Sequence, residues 1–376
     1  MSTTTRHGTV ERTRHHEAWV DNLRVILIAG VVVVHTATAY VIDIPWYYDD
    51  ERTASFMWSV IFGFPTFAGG AFGVGPLFMV AGWFSVRSLA RRGPGAFARA
   101  RLLRLGVPLL AYILVVQPLS DYMGNLRSER GSVLYYLSIT EVGVMWFVAA
   151  LLACSLGYAW LRHRRPAVES GWADRPGVVL FAAAATIAVS CLLVWQVWPW
   201  NAEVVLNMRF GEWPQGVVLF ALGVHAAERG WLDYLTPELI RRIGWLAAAA
   251  AAILGALFGA VIVWADVDVL LQATVLWPTV LFAMLDGLLA VTWTVWCVAW
   301  FRRRWSSHGP LMDKAGRASY ATYFIHPLAL TSLMVLFAVV PLAAPLKFVV
   351  VAALAVPVCY AAGYGLTQVP GLSRVF

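Results

Sequence analysis

Long apolar runs alternate with short polar, arginine-rich connections along the whole chain. Ten such runs can be drawn, at 23–41, 70–90, 102–120, 144–161, 177–198, 213–228, 243–264, 274–301, 319–340 and 346–367. Each is near the ~20 residues that a helix needs to cross the hydrocarbon layer. A backbone in lipid must satisfy its own hydrogen bonds, so runs of this length predict helices. The stretch from Phe56 to Gly69 is also apolar, but Gly63, Pro65, Gly69 and Gly70 interrupt it. It is expected to be an interfacial or re-entrant piece between the first two spans; counting it as a span gives an eleven-helix rival. The pattern therefore predicts an all-α, polytopic membrane bundle of about ten helices. A polar cytoplasmic arm (1–22) precedes one membrane domain (23–367), and a short cytoplasmic tail (368–376) follows it.

Composition supports the class, since 60% of the 376 residues are hydrophobic and only 13% are charged, far too apolar for a soluble chain of this length. Charge sets the orientation. With the N-terminus inside, 23 of the 28 Lys and Arg fall on cytoplasmic stretches, and only Arg52, Arg127, Arg130, Arg209 and Lys347 lie outside. Such asymmetry over short loops puts both termini in the cytoplasm of a multi-pass cell-membrane protein, with the bacterial plasma membrane as the expected location. The net charge of +7 thus concerns topology and anionic headgroups, and nucleic acid is not an expected partner. The basic arm, the run Val25–Val34 and Ala37-Thr38-Ala39 mimic a cleavable signal, but the apolar run continues through Ile42, so the first span is expected to be retained. The four cysteines fall in separate apolar segments without a Cys-x-x-Cys pair and read as small hydrophobes. No repeat, phosphate loop or fused soluble domain is evident; the longest polar insert, 162–177, is a linker. Tryptophans cluster at segment ends, around Trp46, Trp195–Trp200 and Trp300–Trp305, as an interfacial belt.

Few residues can carry chemistry in such a chain. Arg24 precedes His35 by eleven positions in the first apolar run, roughly 16 Å and three turns plus about 20° along a helix, so both face the same way. Ionisable groups in an apolar layer are costly and normally mark a site. The start of the third segment gathers Arg87, Arg91, Arg92, Arg99, Arg101 and Arg104. Arg91, Arg92 and Arg99 read as topogenic, whereas Arg101 and Arg104 share a helical face, with Arg104 expected to point into the bundle as a forked donor for phosphate oxygens. Asp286 lies deep in the eighth segment, where it needs a proton, a cation or an interhelical hydrogen bond. His326 precedes Pro327, which frees nearby backbone groups, and shares its face with Tyr320 and Tyr323. His225 reads as an interfacial anchor, and His7, His15, His16, His163 and His308 as solvated. No histidine lies four residues from His35 and membrane carboxylates are scarce, so no metal is expected. A neutral imidazole suits proton removal from a hydroxyl, which makes His35 the candidate base.

The runs DNLRVILIAGVVVVHTA, PLFMVAGWFSVRSLARRGPGAFARARLLRLGVP, MWFVAALL and GRASYATYFIHPL together resemble the membrane acyltransferase-3 family, and within it the OpgC-like, glucan-modifying branch. The most specific element is the arginine and histidine separated by ten residues, here Arg24 and His35. The arginine-rich start of the third helix, here Arg101 and Arg104 with Arg87 upstream, is next. The resemblance implies a ten-helix bundle that takes an acyl group from cytoplasmic acyl-CoA, with acetyl-CoA the expected donor, and passes it to an outer hydroxyl, usually of a carbohydrate. A glycolipid or a secreted metabolite is also open as acceptor. Many relatives carry a histidine before the start of helix four, where this chain has Val144; Glu141 lies one turn earlier as a polar substitute. Direct activation of the acceptor by His35 and an acyl-histidine intermediate both remain open. The alternative class is a proton-coupled transporter that uses Arg24, His35, Asp286 and His326 as a relay; a non-catalytic sensor is a third.

Overall fold

A computed structural model describes residues 5–41, 46–48, 55–126, 133–138, 140–164, 175–198, 206, 208–264, 277–307, 309–372 and 375. Arg52, Arg127, Arg130, His308, residues 165–174 of the polar linker and part of the tail lie outside the described residues. Among the described residues the protein is 88% helical without strands, and nine helices are long and apolar enough to cross a membrane. The helices are α1 (Thr5–Tyr40), α2 (Phe56–Phe72) and α3 (Gly75–Arg92), then α4 (Pro94–Gly124). They continue with α5 (Trp146–Arg164), α6 (Pro176–Trp195), α7 (Trp213–Arg229) and α8 (Pro237–Trp264). The last three are α9 (Trp277–Arg304), α10 (Pro310–Phe337) and α11 (Ala344–Gln368).

All ten expected segments are helical. α7, with 17 residues, is not among the nine membrane-capable helices. The polar arm from Thr5 on is part of α1, which runs for 36 residues. One expectation changes. The stretch after Phe56 is not broken by its glycines and Pro65. It forms the continuous helix α2, which meets α3 after only Gly73 and Val74. Its aromatic residues pack on neighbours: Phe64 faces Phe258 of α8, and Phe67 faces Phe282 of α9.

In α4, Pro108 and Pro118 cannot donate a backbone hydrogen bond, and their rings crowd the carbonyls four residues back. The helix accommodates each with one widened turn. Val107 N–H reaches Leu102 O, and Gln117 N–H reaches Tyr112 O, five residues back. Such π turns re-aim the side chains they contain. The first holds Arg104; the second begins at Tyr112, which is fully buried.

Helix α1 packs on α10, α11 and α9 and forms the inner wall of the bundle. α3 packs along α7, α6 along α9, and α10 along α11. α6 lies at the edge, with Phe181 and Leu193 turned outward, as suits contact with lipid. At the inner ends, Arg162 pairs with Glu228, and Arg302 pairs with Asp233 while lying over Trp83. These contacts join the ends of α5, α7 and α9 and the turn after α7 on the face that charge asymmetry assigns to the cytoplasm. A reporter fused after Arg303 should therefore read cytoplasmic and one after Asn125 external. The opposite reading at either position would overturn the orientation.

Candidate active site

His35 sits five residues before the end of α1 at Tyr40, about 7.5 Å from the outer end at 1.5 Å per residue. Its Nδ1 lies 3.0 Å from Nε2 of His326 on α10, and the two rings are nearly parallel, 5° apart. His326 is fully buried, and its Nδ1 lies 2.7 Å from the Tyr323 carbonyl oxygen. Tyr323 in turn donates its hydroxyl to the Val144 carbonyl. On the other side Trp46 stacks on His35, with centroids 4.2 Å apart at 20°. Its indole Nε1 is buried with no hydrogen-bond partner among the described residues. His35 itself is half-buried, and no hydrogen bond to its Nε2 is found among those residues.

The outer connections close around this pair. Tyr47 and Tyr112 share a hydrogen bond of 2.7 Å between their hydroxyls, and burial raises the Tyr47 hydroxyl well above its ordinary range, so it stays protonated. Gly143 sits beneath them at φ +49, where a Cβ would collide with the Tyr47 hydroxyl. Only glycine meets both demands. The carboxylates of Asp121 and Glu141 lie close enough to act on Tyr47. Arg209 is near enough for its charge to act on His35. Its backbone is held at φ 23, a sparsely populated conformation for a residue with a side chain, of the kind concentrated at functional sites. Arg209 pairs with buried Glu212 at 3.5 Å. Burial pushes Glu212 up to about 6, against the opposing pull of Arg209.

Asp286 belongs to a neighbouring polar pocket. It accepts hydrogen bonds from Gln215 at 3.4 Å and from the Cys191 thiol at 3.8 Å, and no bond joins it to the histidine pair among the described residues. Glu212 lines the same small cavity with Ala71 and Trp195.

The second cluster lies beside Arg24, near the middle of α1 and eleven residues before His35. Arg101 is half-buried and donates to Ser85 Oγ at 3.1 Å, with its guanidinium over the Phe97 ring at 5.0 Å. Arg104, Arg92 and Arg24 surround it closely enough for their charges to act on it. Arg104 does not point into the bundle: it is exposed, because the widened turn at Leu102–Gly106 displaces it from the face of Arg101. Arg24 is 47% exposed at its side chain and lies 3.6 Å from Asp21. Arg87 is exposed and is not among the charges acting on Arg101. α1 thus carries Arg24 near its middle, beside the arginines of α3 and α4, and an imidazole near its outer end, eleven residues on.

Sequence reasoning named His35, His326, Tyr323 and Glu141 separately, and the structure brings them to one place. It missed Trp46, Arg209 and the Tyr47–Tyr112 pair. Trp46 reads from sequence as one more interfacial aromatic, and only the chain's return over α1 puts it on the imidazole. The Val144 departure falls inside the site, since this residue's carbonyl anchors Tyr323. A family model described as an acyltransferase domain matches residues 17–364. Neither the curated proteins nor the solved structures give a match.

Proposed function

The chain belongs to the acyltransferase domain family, and from that premise we propose that it moves an acyl group from a cytoplasmic CoA thioester to a hydroxyl presented at its outer mouth. The observation that carries this reading is the placing of two groups along α1: Arg24 with the arginines of α3 and α4 beside it, which suit CoA phosphates, and eleven residues further an imidazole whose Nε2 has no hydrogen-bond partner among the described residues. Arg101, Arg104, Arg92 and Arg24 hold the phosphates by charge-assisted hydrogen bonds. The thin pantetheine arm brings the thioester up along α1. His35 Nε2 accepts the acceptor's hydroxyl proton while the oxygen bonds to the thioester carbon. As the carbon–sulfur bond breaks, the proton passes to the departing sulfur, giving an ester and free CoA thiol. The Trp46 Nε1–H, without a partner among the described residues, suits the oxygen that gains charge in the intermediate.

A carbohydrate suits the mouth as acceptor. Trp46 and Tyr47 offer aromatic faces, while Asp121 and Glu141 can accept hydrogen bonds from several hydroxyls. The resemblance to the glucan-modifying branch points the same way, and acetyl is the acyl group proposed, with the bacterial plasma membrane as the setting. Purified protein with acetyl-CoA and candidate glycans should release free thiol in step with ester formation. Proton-coupled solute uptake into vesicles without thiol release would overturn the reading in favour of a transporter.

Arg101→Ala should weaken CoA binding by about 1–3 kcal/mol, the loss of a charge-assisted hydrogen bond. Lysine should restore it only in part, because an ammonium lacks the planar fork. Calorimetry in detergent measures both, and unchanged affinity in Arg101→Ala would remove this residue from the donor site.

A further inference from the structure

We propose that Pro327 and His326 together fix the tautomer of His35: the proline leaves the Tyr323 carbonyl to His326 Nδ1, and the resulting chain of hydrogen bonds keeps the proton on His35 Nδ1 and off Nε2. The inference rests on reading His35 as the base and assigns His326 and Pro327 as positioning residues, which touch neither donor nor acceptor.

In an uninterrupted helix the N–H of residue 327 would bond to the carbonyl of residue 323. Proline has no N–H, so α10 continues past Pro327 with the Tyr323 carbonyl deprived of its helical partner. A carbonyl buried in an apolar layer must be paired. His326 Nδ1, 2.7 Å away, pairs it. Because a carbonyl can only accept, that nitrogen must carry hydrogen. A neutral imidazole has one N–H, so His326 Nε2 is left as a lone pair. His35 Nδ1 faces this lone pair at 3.0 Å and must be the donor. The remaining nitrogen of His35, Nε2, is then unprotonated and free to take a proton.

The opposite arrangement shows what the proline contributes. If His326 carried its proton on Nε2, it would donate to His35 Nδ1, and the proton of neutral His35 would move to Nε2. His35 would then face the acceptor with an N–H and could not act as a base. Nothing local to α1 chooses between these forms, since the choice is made by a residue on α10, 291 positions away in the chain. The ring of His326 has little freedom to turn over, being fully buried between His35 and the Tyr323 ring, whose centroids lie 5.2 and 5.5 Å away.

The test is Pro327→Ala, read by nitrogen NMR of imidazole-labelled protein, by thermal unfolding and by turnover. Alanine returns a peptide N–H that competes for the Tyr323 carbonyl. The helix gains a bond, so the melting temperature should hold or rise, while kcat should fall about 10–100-fold as His35 spends time in the wrong form. A purely structural proline would move stability and activity together. The His35 resonances, assigned by their loss in His35→Gln, should show a pyrrole-like Nδ1 and a pyridine-like Nε2 in the wild type and a mixture in Pro327→Ala. His326→Gln, whose side-chain oxygen can still accept from His35 Nδ1, should keep part of the activity that His326→Ala loses. A wild-type His35 protonated on Nε2, or a Pro327→Ala protein whose His35 signature and kcat are unchanged, would overturn the proposal. The NMR readout needs no turnover. A wild type with the expected signature but no thiol release would leave this wiring standing and bring down the acyltransfer reading instead.

Discussion

His35→Gln is expected to lose acyl transfer almost entirely while keeping its expression and its affinity for CoA. Glutamine preserves a hydrogen-bonding side chain of similar reach but cannot take up a proton. The loss should therefore be the whole contribution of general-base catalysis, about 10²–10⁴ in rate. The donor contacts are spared because Arg24 lies eleven residues back along α1, roughly 16 Å away, with Arg101 of α4 beside it. The fold is spared because His35 is only half-buried and, among the described residues, makes one side-chain hydrogen bond, to His326, which an amide can replace. Thiol release and calorimetry on the same preparation separate the two quantities. Turnover within a few-fold of the wild type would dismiss His35 as the base, and a parallel loss of CoA affinity would place it in the donor site.

What could be read from the chain divides along the range of the interactions involved. Helical periodicity is local, so the common face of Arg24 and His35 follows from their spacing and holds in the uninterrupted α1. The spans follow equally from run length, because the bilayer imposes one dimension on all of them. Readings that depend on what packs nearby fared differently. The glycines and Pro65 in Phe56–Gly69 argue locally against helix, yet α2 forms, with Phe64 and Phe67 packed on aromatic residues of α8 and α9. Arg101 and Arg104 looked equivalent three residues apart, but the turn that relieves Pro108 sets them on different faces. A proline four residues after an arginine was the available signal for that turn. His35 and His326 were each recognisable as unusual, whereas their pairing spans 291 residues and has no signature in spacing. Trp46 and Arg209 come from connections between helices, whose paths are set by the assembled bundle.

The largest effect on stability is expected where α3 meets α7. Gly75 and Gly82 on one helix, and Gly216 and Gly223 on the other, stand seven residues apart, two turns of helix, and so recur on one face of each. A Cβ at Gly82 would collide with the Phe220 carbonyl oxygen, and one at Gly223 with the Met79 carbonyl oxygen. Both obstacles are backbone, so neither can rotate away. The helices must separate instead, and small residues are what allow such close approach between membrane helices. Gly82→Leu and Gly223→Leu should each cost more than about 4 kcal/mol, beyond ordinary overpacking, and should leave little folded protein after extraction into detergent. Gly70→Ala is the matched control: a Cβ there meets nothing within 4 Å, and alanine favours helix by about 1 kcal/mol over glycine. Thermal unfolding followed by tryptophan fluorescence measures all three. A Gly82→Leu protein that melts with the wild type would show the helices free to part. The consequence for function follows from what this helix pair carries. α3 supplies Ser85 to Arg101 at the inner cluster, and α7 starts at Trp213, directly after Glu212 at the outer mouth. Loosening the two helices would therefore uncouple the donor end from the acceptor end even in protein that remains in the membrane.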